Sequence, residues 1–198
     1  MDKNIFIERV ARVAVENYDK YKILPSLVIA QAILESGWGE KAIENNIFGI
    51  KATSSWKGRV AIRKTREWDG KKFITVEAKF KAYDSIEDSI MDYLNLVGRA
   101  KRYERVKGAG DYKEAARLVY EAGYATDPQY ANKLIDIIEA RKLYQYDTLI
   151  KPISSWAVDA WNWAKEMGIT DGSKPKAYMT REEGVTMLYR LYKLINDS

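Results

Sequence analysis

Two glutamates stand where a carboxyl group could take part in acid–base chemistry, and Glu35 is the clearer case. It ends an apolar run from Leu27 to Leu34 in which Gln31 is the one polar residue. Such a run predicts a helix buried on nearly all sides, and Gly37 predicts where it ends. Apolar surroundings and the negative end of the helix dipole both disfavour a carboxylate, so we expect a raised pKa for Glu35. This suits a general acid, although a glutamate that only solvates a helix end beside a Lys or Arg is the alternative.

The second glutamate, Glu67, lies in a segment where apolar and polar residues alternate. The alternation runs from Arg59 to Tyr83 and is interrupted by Asp69-Gly70, which is typical of a two-residue hairpin turn. Glu67 is therefore predicted at the end of the first strand, on a polar face opposite Val60 and Ile62. Most exposed glutamates are simply solvated, so the pattern alone leaves both solvation and catalysis open.

The elements that must position these two groups are mainly helical. An amphipathic helix is predicted from about residue 3 to 19, and a second begins at a capping box formed by Ser85 and Asp88. Further helices are predicted after Asp111 and, with Asp127 as N-cap, as far as about Tyr144. Periodicity is lost between residues 145 and 153, which predicts a boundary between a domain of residues 1–147 and a smaller one of residues 153–198.

Composition narrows the chemistry further. The 198 residues include no His and no Cys, which excludes a Ser-His triad, a Cys-His protease and a His-liganded zinc site. No metal and no cofactor is expected. The net charge of +5 favours a polyanionic partner, and nucleic acid, an anionic membrane or bacterial wall teichoic acid would each fit. Aromatic residues make up 12% of the chain, which suits platforms that stack on sugar rings as well as core packing.

Two motifs resemble a known family. The run Gln-Ala-Ile-Leu-Glu-Ser-Gly-Trp-Gly starting at Gln31, followed by Asn-Asn-Ile-Phe-Gly-Ile-Lys starting at Asn45, resembles the bacterial endo-β-N-acetylglucosaminidases of glycoside hydrolase family 73. The resemblance implies a lysozyme-like fold with Glu35 as the catalytic acid. It also implies that the second motif lines a sugar cleft, where Asn46 could bond an acetamido group and Phe48 could pack beneath it.

The same resemblance extends to the hairpin and to a tyrosine-rich turn. Residues 65–70 match the Thr-x-Glu-aromatic-x-Gly context of the family's second glutamate, so Glu67 is implied as the second catalytic group, with Trp68 where tyrosine is more usual. The segment Gly-Tyr-Ala-Thr-Asp-Pro-Gln-Tyr-Ala, starting at Gly123, implies a tyrosine in the active cleft. We expect Tyr124 to be that catalytic tyrosine, and Trp68 and Tyr130 to contact substrate.

The last 46 residues resemble a single S-layer homology repeat. The resemblance rests on Trp-Ala-x-x-Ala-x-x-Trp-Ala-x-x-x-Gly-Ile-Thr-Asp-Gly from Trp156 and on the segment that begins Met-Thr-Arg-Glu-Glu at Met179. It implies a helix-loop-helix unit that binds anionic secondary wall polymers. Such repeats generally work in threes, so a single copy must pack on the catalytic domain, associate with other copies or bind weakly.

Together these features predict a mainly α (α+β), lysozyme-like enzyme with a β-hairpin lobe, which cuts the peptidoglycan glycan strand after N-acetylglucosamine. A muramidase, a lytic transglycosylase and a non-catalytic wall-binding module are the alternatives. Neither nucleic acid nor membrane insertion is expected.

The first ten residues carry charges every few positions and no apolar run of signal-peptide length, so we expect synthesis in the cytoplasm. Release through a holin pore, as for a phage endolysin, would then bring the enzyme to the wall, although an autolysin whose leader lies outside this sequence would look identical.

Overall fold

The computed structural model describes residues 1–68, 72–150, 154–172 and 179–196, with the backbone alone at residues 66–68, 73 and 74. The chain divides into two compact units, Met1–Tyr146 and Asp147–Ser198. In the first unit the helices are α1 (Lys3–Glu16), α2 (Tyr18–Tyr21), α3 (Pro25–Ser36), α4 (Ile86–Arg99), α5 (Tyr112–Glu121) and α6 (Tyr130–Ala140). The strands are β1 (Val60–Trp68) and β2 (Phe73–Lys81), and a 3-10 helix spans Lys101–Val106; a further 3-10 helix, Leu143–Thr148, spans the boundary between the two units in the chain.

Helix α3 is the buried centre of the first unit. It packs against α1, α5 and α6, and every residue from Pro25 to Ile33 is buried. Pro25 occupies the first turn and Gly37 closes the helix in the left-handed conformation at φ +54°, as the sequence predicted. Truncation of a fully buried side chain such as Leu27 to alanine would cost about 2–5 kcal/mol of folding stability. The helix is therefore a rigid support for the residue at its C-terminal end.

The helices around α3 begin where capping residues specify. Ser85 and Asp88 form the predicted capping box of α4, and the Asp111 carboxylate accepts hydrogen bonds from the first backbone amides of α5. The predicted first helix is shorter than expected, since α1 ends at Glu16 and the separate α2 follows. Helix α6 begins at Tyr130, while Asp127 caps the preceding turn by accepting from the amide of Gln129.

The two strands form one antiparallel hairpin, paired from Val60 opposite Lys81 to Trp68 opposite Phe73. The predicted turn at residues 69 and 70 lies outside the described residues. The predicted orientation of β1 is wrong, because Ala61 is buried while Val60 and Ile62 are 44% and 54% exposed. Alternation shows which residues share a face but not which face packs on the domain.

The second unit contains a 3-10 helix (Ser155–Ala157) and two helices, α7 (Val158–Glu166) and α8 (Arg181–Asn196). Thr180 and Glu183 form the predicted capping box at the start of α8. The loop after α7 is held to both helices, since Trp161 donates to the carbonyl of Gly172 and Arg190 donates to the carbonyl of Ile169. Within the described ranges, no helix has both the length and the apolar character needed to cross a bilayer.

Candidate active site

A cleft of about 450 Å³ opens beside the C-terminal end of α3. The last turn of α3 supplies one wall, and the segment before α6 together with its first turns supplies the other. The lining residues are Leu34, Glu35, Gly123, Tyr124, Ala125, Thr126, Asp127, Tyr130 and Lys133. The rigid helix thus presents Glu35 to a space in which a ligand can sit.

The chain turns sharply away after Glu35, which leaves the glutamate at the edge of the helix. Gly37, Trp38 and Gly39 have φ values of +54°, +66° and +83°, three left-handed residues in succession. The hydroxyl of Ser36 donates to the carbonyl of Ala32 and accepts from the amide of Gly39, which closes the turn. Glycine suits the left-handed conformation at two of the positions, so the Ser-Gly-Trp-Gly motif is a consequence of the turn geometry.

Trp38 adopts its left-handed backbone because its side chain is held from several directions. Its ring meets the edge of Phe6 with ring centroids 6.3 Å apart. The Lys3 ammonium and the Arg141 guanidinium lie 5.2 Å and 5.0 Å from the indole centroid. A non-glycine residue in this conformation costs on the order of 1 kcal/mol, which these contacts offset. Trp38 therefore ties the turn after the acid to α1 and to the end of α6.

The electrostatic surroundings of Glu35 favour its protonated form. The side chain is exposed to the cleft, yet protein atoms crowd its carboxyl group, and this desolvation raises its pKa above the ordinary value. The hydroxyl of Tyr130 donates to Glu35 Oε1 at 2.6 Å, which stabilises the carboxylate and partly lowers the pKa again. The sequence predicted the raised pKa but not the hydrogen bond that moderates it.

Tyr130 is itself the end of a buried chain of hydrogen bonds. The hydroxyl of Tyr93, in α4, donates to Gln31 Oε1, and Gln31 Nε2 donates to the hydroxyl oxygen of Tyr130 at 3.0 Å. Gln31 lies one helical turn before Glu35 on α3, so the same helix carries both the acid and the amide that supports it. Burial raises the pKa of Tyr93 and of Tyr130 well above the ordinary value, so both hydroxyls keep their protons.

The structure places the two tyrosines differently with respect to Glu35, and both line the cleft. Tyr130 was expected to contact substrate, which stays a prediction; it is 4% exposed, and its hydroxyl donates to Glu35. Tyr124 was expected to be the catalytic tyrosine, but among the described hydrogen bonds none joins its hydroxyl to Glu35. Its ring lines the cleft and stacks on Tyr130 with centroids 5.9 Å apart. Tyr124 is therefore placed to contact a ligand and to hold the Tyr130 ring.

Asn46 does not fit the predicted contact with an acetamido group. Its amide nitrogen donates to the carbonyls of Ile50 and Lys81, and its amide oxygen accepts from the amide of Ile50. Both amide hydrogens are thus used, and the residue is 2% exposed. Asn46 instead fastens the loop of residues 46–50 to β2.

Phe48 likewise lies in the core and not beneath a sugar. It is 4% exposed and stacks on Tyr93 with ring centroids 4.1 Å apart and an interplanar angle of 16°. The motif that contains Asn46 and Phe48 therefore acts on the cleft indirectly, because it positions the tyrosine that bonds Gln31.

The hairpin residues Glu67 and Trp68 are described by their backbone alone. Glu67 pairs with Ile74 and Trp68 with Phe73 in the strand register, at the end of the hairpin away from Val60. Their predicted roles as second catalytic group and substrate contact concern side chains outside the described residues, so both roles stay predictions.

Two features of the site were missed from the sequence. One is the support of Glu35 by Gln31 and Tyr93, which a single polar residue in an otherwise apolar buried helix could have signalled. The other is an ion pair in the cleft, between Lys133 Nζ and Asp127 Oδ2 at 2.6 Å. In the part of the chain that the structure describes, no three His, Cys, Asp or Glu side chains come together as metal ligands.

The fold and the cleft together define a mainly α, lysozyme-like domain that presents a carboxyl group at the end of its buried central helix, with a two-stranded hairpin as its sheet. Residues 11–143 match the glucosaminidase family, described as mannosyl-glycoprotein endo-beta-N-acetylglucosaminidase, and the chain belongs to that family.

Relatives agree with this membership. The chain is 38% identical over 183 residues to the exo-glucosaminidase LytG of Bacillus subtilis (strain 168), and the aligned region covers 88% of this chain and 64% of LytG. It is 39% identical over 148 residues to the peptidoglycan hydrolase FlgJ of Salmonella typhimurium, which covers 71% of this chain and 47% of FlgJ. A crystal structure of a peptidoglycan hydrolase mutant from Sphingomonas sp. A1 superposes with a TM-score of 0.64 at 36% identity and covers 72% of this chain and 96% of the other.

The extent of these matches bears on the two units. The chain spans less than two thirds of the length of LytG and less than half that of FlgJ. The share of this chain matched by LytG exceeds the share that the first unit occupies, so that similarity includes part of the second unit.

Proposed function

We propose that the protein is a peptidoglycan hydrolase that cleaves the β-1,4 bond after N-acetylglucosamine in the glycan strand, with Glu35 as general acid. The observation that carries the proposal is the Glu35 carboxyl group, which lies in a cleft at the end of a rigid helix with its pKa raised by desolvation. The names of the relatives, an exo-glucosaminidase and a peptidoglycan hydrolase, support the substrate class.

The chemistry follows from that carboxyl group. Glu35 gives its proton to the glycosidic oxygen while the bond from that oxygen to C1 breaks, and the electron pair of the bond stays on the leaving oxygen. Positive charge then develops at C1 of the N-acetylglucosamine. Tyr130 keeps its hydrogen bond to the new carboxylate, so the charge left on Glu35 is stabilised as it forms.

We further propose Glu67 as the second group, which activates water or stabilises the positive charge at C1. Its place on the hairpin and the match of residues 65–70 to the family context support this role. Direct nucleophilic attack by Glu67 and attack by the acetamido group of the substrate are the competing routes. Proton NMR of the anomer formed first separates inversion from retention.

The test uses digests of purified peptidoglycan that are reduced with borohydride and analysed by mass spectrometry. New glucosaminitol ends are expected. Muramitol ends would instead mean a muramidase, and 1,6-anhydro ends would mean a lytic transglycosylase, which needs the acid but not Glu67. In parallel, Glu35→Gln should lower turnover by at least ~10²-fold while the protein remains folded, because glutamine keeps the size but cannot donate the proton. A folded Glu35→Gln protein with normal turnover would remove Glu35 from the mechanism.

We also propose that the second unit holds the enzyme on wall polymers. Support comes from a stripe of large apolar residues on α8 that are 58–69% exposed, and from Trp156, which is 87% exposed. The stripe consists of Val185, Leu188, Tyr189, Tyr192 and Ile195. Contiguous exposed apolar residues of this kind mark interaction sites in soluble proteins, and the resemblance to an S-layer homology repeat suggests the partner.

A further inference from the structure

The hydrogen-bond chain behind Glu35 has a defined direction, which follows from the donors and acceptors at each end. The amide of Gln31 presents an oxygen that only accepts and a nitrogen that only donates. Its oxygen faces the hydroxyl of Tyr93 and its nitrogen faces the hydroxyl of Tyr130. The lone pair of Tyr130 on that side is therefore occupied, and its single proton is left for Glu35 Oε1, 2.6 Å away.

The hydrogen bond between Tyr130 and a protonated Glu35 could also run the other way, with Glu35 as the donor. Glu35 could give its own proton to the hydroxyl oxygen of Tyr130, and the acid would then hold its proton against the tyrosine. The hydrogen bond from Gln31 Nε2 opposes this arrangement, because Tyr130 would have to accept from both sides while its own proton found no partner.

We propose that Gln31 and Tyr93 are positioning residues that fix the proton of Tyr130 towards Glu35 Oε1, so that Glu35 Oε2 carries the transferable proton. The proposal rests on the proposed role of Glu35 as general acid. During transfer the O–H bond at Oε2 breaks and an O–H bond forms at the glycosidic oxygen. The proton of Tyr130 stays in place and stabilises the carboxylate that remains.

Burial and stacking give this arrangement its rigidity. Gln31 and Tyr93 are both 0% exposed, so water does not compete for their hydrogen bonds. Phe48 stacks on the Tyr93 ring at 4.1 Å, which fixes the direction of the hydroxyl. A reversed amide would turn the NH₂ group of Gln31 towards Tyr93 and leave its oxygen facing Tyr130, whose proton would then be drawn away from Glu35. The stacking of Phe48 on Tyr93 and the burial of the Gln31 amide thus together hold the proton of Tyr130 towards Glu35.

The other titratable and charged groups described around Glu35 are neutral or paired with another group. Tyr93 of α4 and the two tyrosines Tyr124 and Tyr130 are neutral, since burial raises the pKa of each. In the same cleft, Lys133 of α6 is paired with Asp127. Of the described side chains around the acid, Tyr130 is the one whose hydrogen bond to Glu35 is seen.

Three substitutions test the proposal through the pH dependence of kcat. Gln31→Leu removes the donor to the Tyr130 hydroxyl oxygen without adding charge. Gln31→Glu offers Tyr130 a second acceptor, which draws its proton away from Glu35. Tyr93→Phe removes the donor to Gln31 Oε1, so the Gln31 amide can rotate by 180°. Each should move the alkaline limb of the kcat profile to higher pH, by about one unit for Gln31→Leu, and lower the plateau on the order of tenfold, with KM little changed. Gln31→Glu should shift the limb furthest.

Tyr103→Phe is the matched control. Tyr103 belongs to the same group of tyrosines, its ring lies 6.3 Å from that of Tyr124, and it is 0% exposed. Among the described contacts, its hydroxyl makes no hydrogen bond to Gln31, Tyr130 or Glu35, and its charged neighbour is Arg102, whose guanidinium lies 4.5 Å from the ring centroid. Loss of this hydroxyl should leave the alkaline limb and the plateau of the kcat profile as they are in the unmodified protein.

The outcomes separate this proposal from the proposed function. In a Tyr130→Phe background, Gln31→Leu should add no further shift, because the hydroxyl through which Gln31 acts is gone. If Gln31→Leu and Tyr93→Phe have the alkaline limb of kcat at the same pH as the Tyr103→Phe control, the positioning role of Gln31 and Tyr93 is overturned. An inactive Glu35→Gln would in that case still support Glu35 as the general acid. An active Glu35→Gln would overturn both. Should Gln31→Leu fail to fold, Tyr93→Phe carries the test alone, since it removes one hydroxyl and preserves the ring.

Discussion

Replacement of Tyr130 by phenylalanine should raise the pKa of Glu35. The substitution keeps the ring that stacks on Tyr124 and removes the hydroxyl that donates to Glu35 Oε1 at 2.6 Å. A hydrogen bond to a charged group contributes about 1.5–3 kcal/mol, and exposure of Glu35 to the cleft reduces this to the lower end. About 1.4 kcal/mol corresponds to one pKa unit, so the alkaline limb of kcat should move up by about one pH unit.

The same substitution should also change stability in a pH-dependent way. The folded pKa of Glu35 is already raised, so its contribution to stability is present below the unfolded pKa and is lost as the pH rises through the folded pKa. Tyr130→Phe raises the folded pKa further. The loss of unfolding free energy should therefore be larger at about pH 8 than at about pH 4, by about 1.4 kcal/mol for a shift of one unit.

Urea unfolding at both pH values and a kcat profile between them provide the measurements. Tyr124→Phe is the control, because its hydroxyl makes no hydrogen bond to Glu35 among the described contacts. The reasoning would be refuted if Tyr124→Phe moved the alkaline limb as far as Tyr130→Phe, or if Tyr130→Phe lost the same stability at both pH values.

Three further predictions concern the hairpin, the support loop and the second unit. Glu67→Gln should lower turnover strongly and leave glycan binding almost unchanged, as measured by kcat and by binding to an uncleaved strand; normal cleavage would favour the transglycosylase alternative. Asn46→Ala should cost about 1–3 kcal/mol of unfolding free energy, because the carbonyls of Ile50 and Lys81 lose their donor, and a fall in sugar affinity without loss of stability would restore the predicted sugar contact. A protein of residues 1–150 should sediment less with whole walls yet cleave short soluble muropeptides as the full chain does; equal sedimentation would mean that the second unit is not the anchor.

The sequence predicted the elements of the first unit well because local signals fix them. Pro25 and Gly37 bound the central helix, and Ser85 with Asp88 marks the start of α4. These are contacts between residues close in the chain. The buried face of β1 was predicted wrongly, since Val60 and Ile62 carry apolar side chains on the exposed face.

The candidate site was predicted only in part because its remaining contacts are long-range. The position of Glu35 follows from one helix, whereas the choice of Tyr130 over Tyr124 depends on which ring turns its hydroxyl towards the end of α3. The purpose of Gln31 depends in turn on Tyr93, which lies 62 residues away. A residue pattern indicates that a buried amide needs partners, but only the packed helices show which ones.

The bond from Tyr130 to Glu35 joins residues 95 positions apart, and this separation has a consequence for the timing of activity. Closure of so long a loop is a late event in folding, since its entropy cost must be met before the contact forms. On the ribosome the helix that carries Glu35 emerges well before α6. The Glu35 carboxyl group therefore acquires its hydrogen-bond partner only when nearly the whole first unit has been synthesised and has packed.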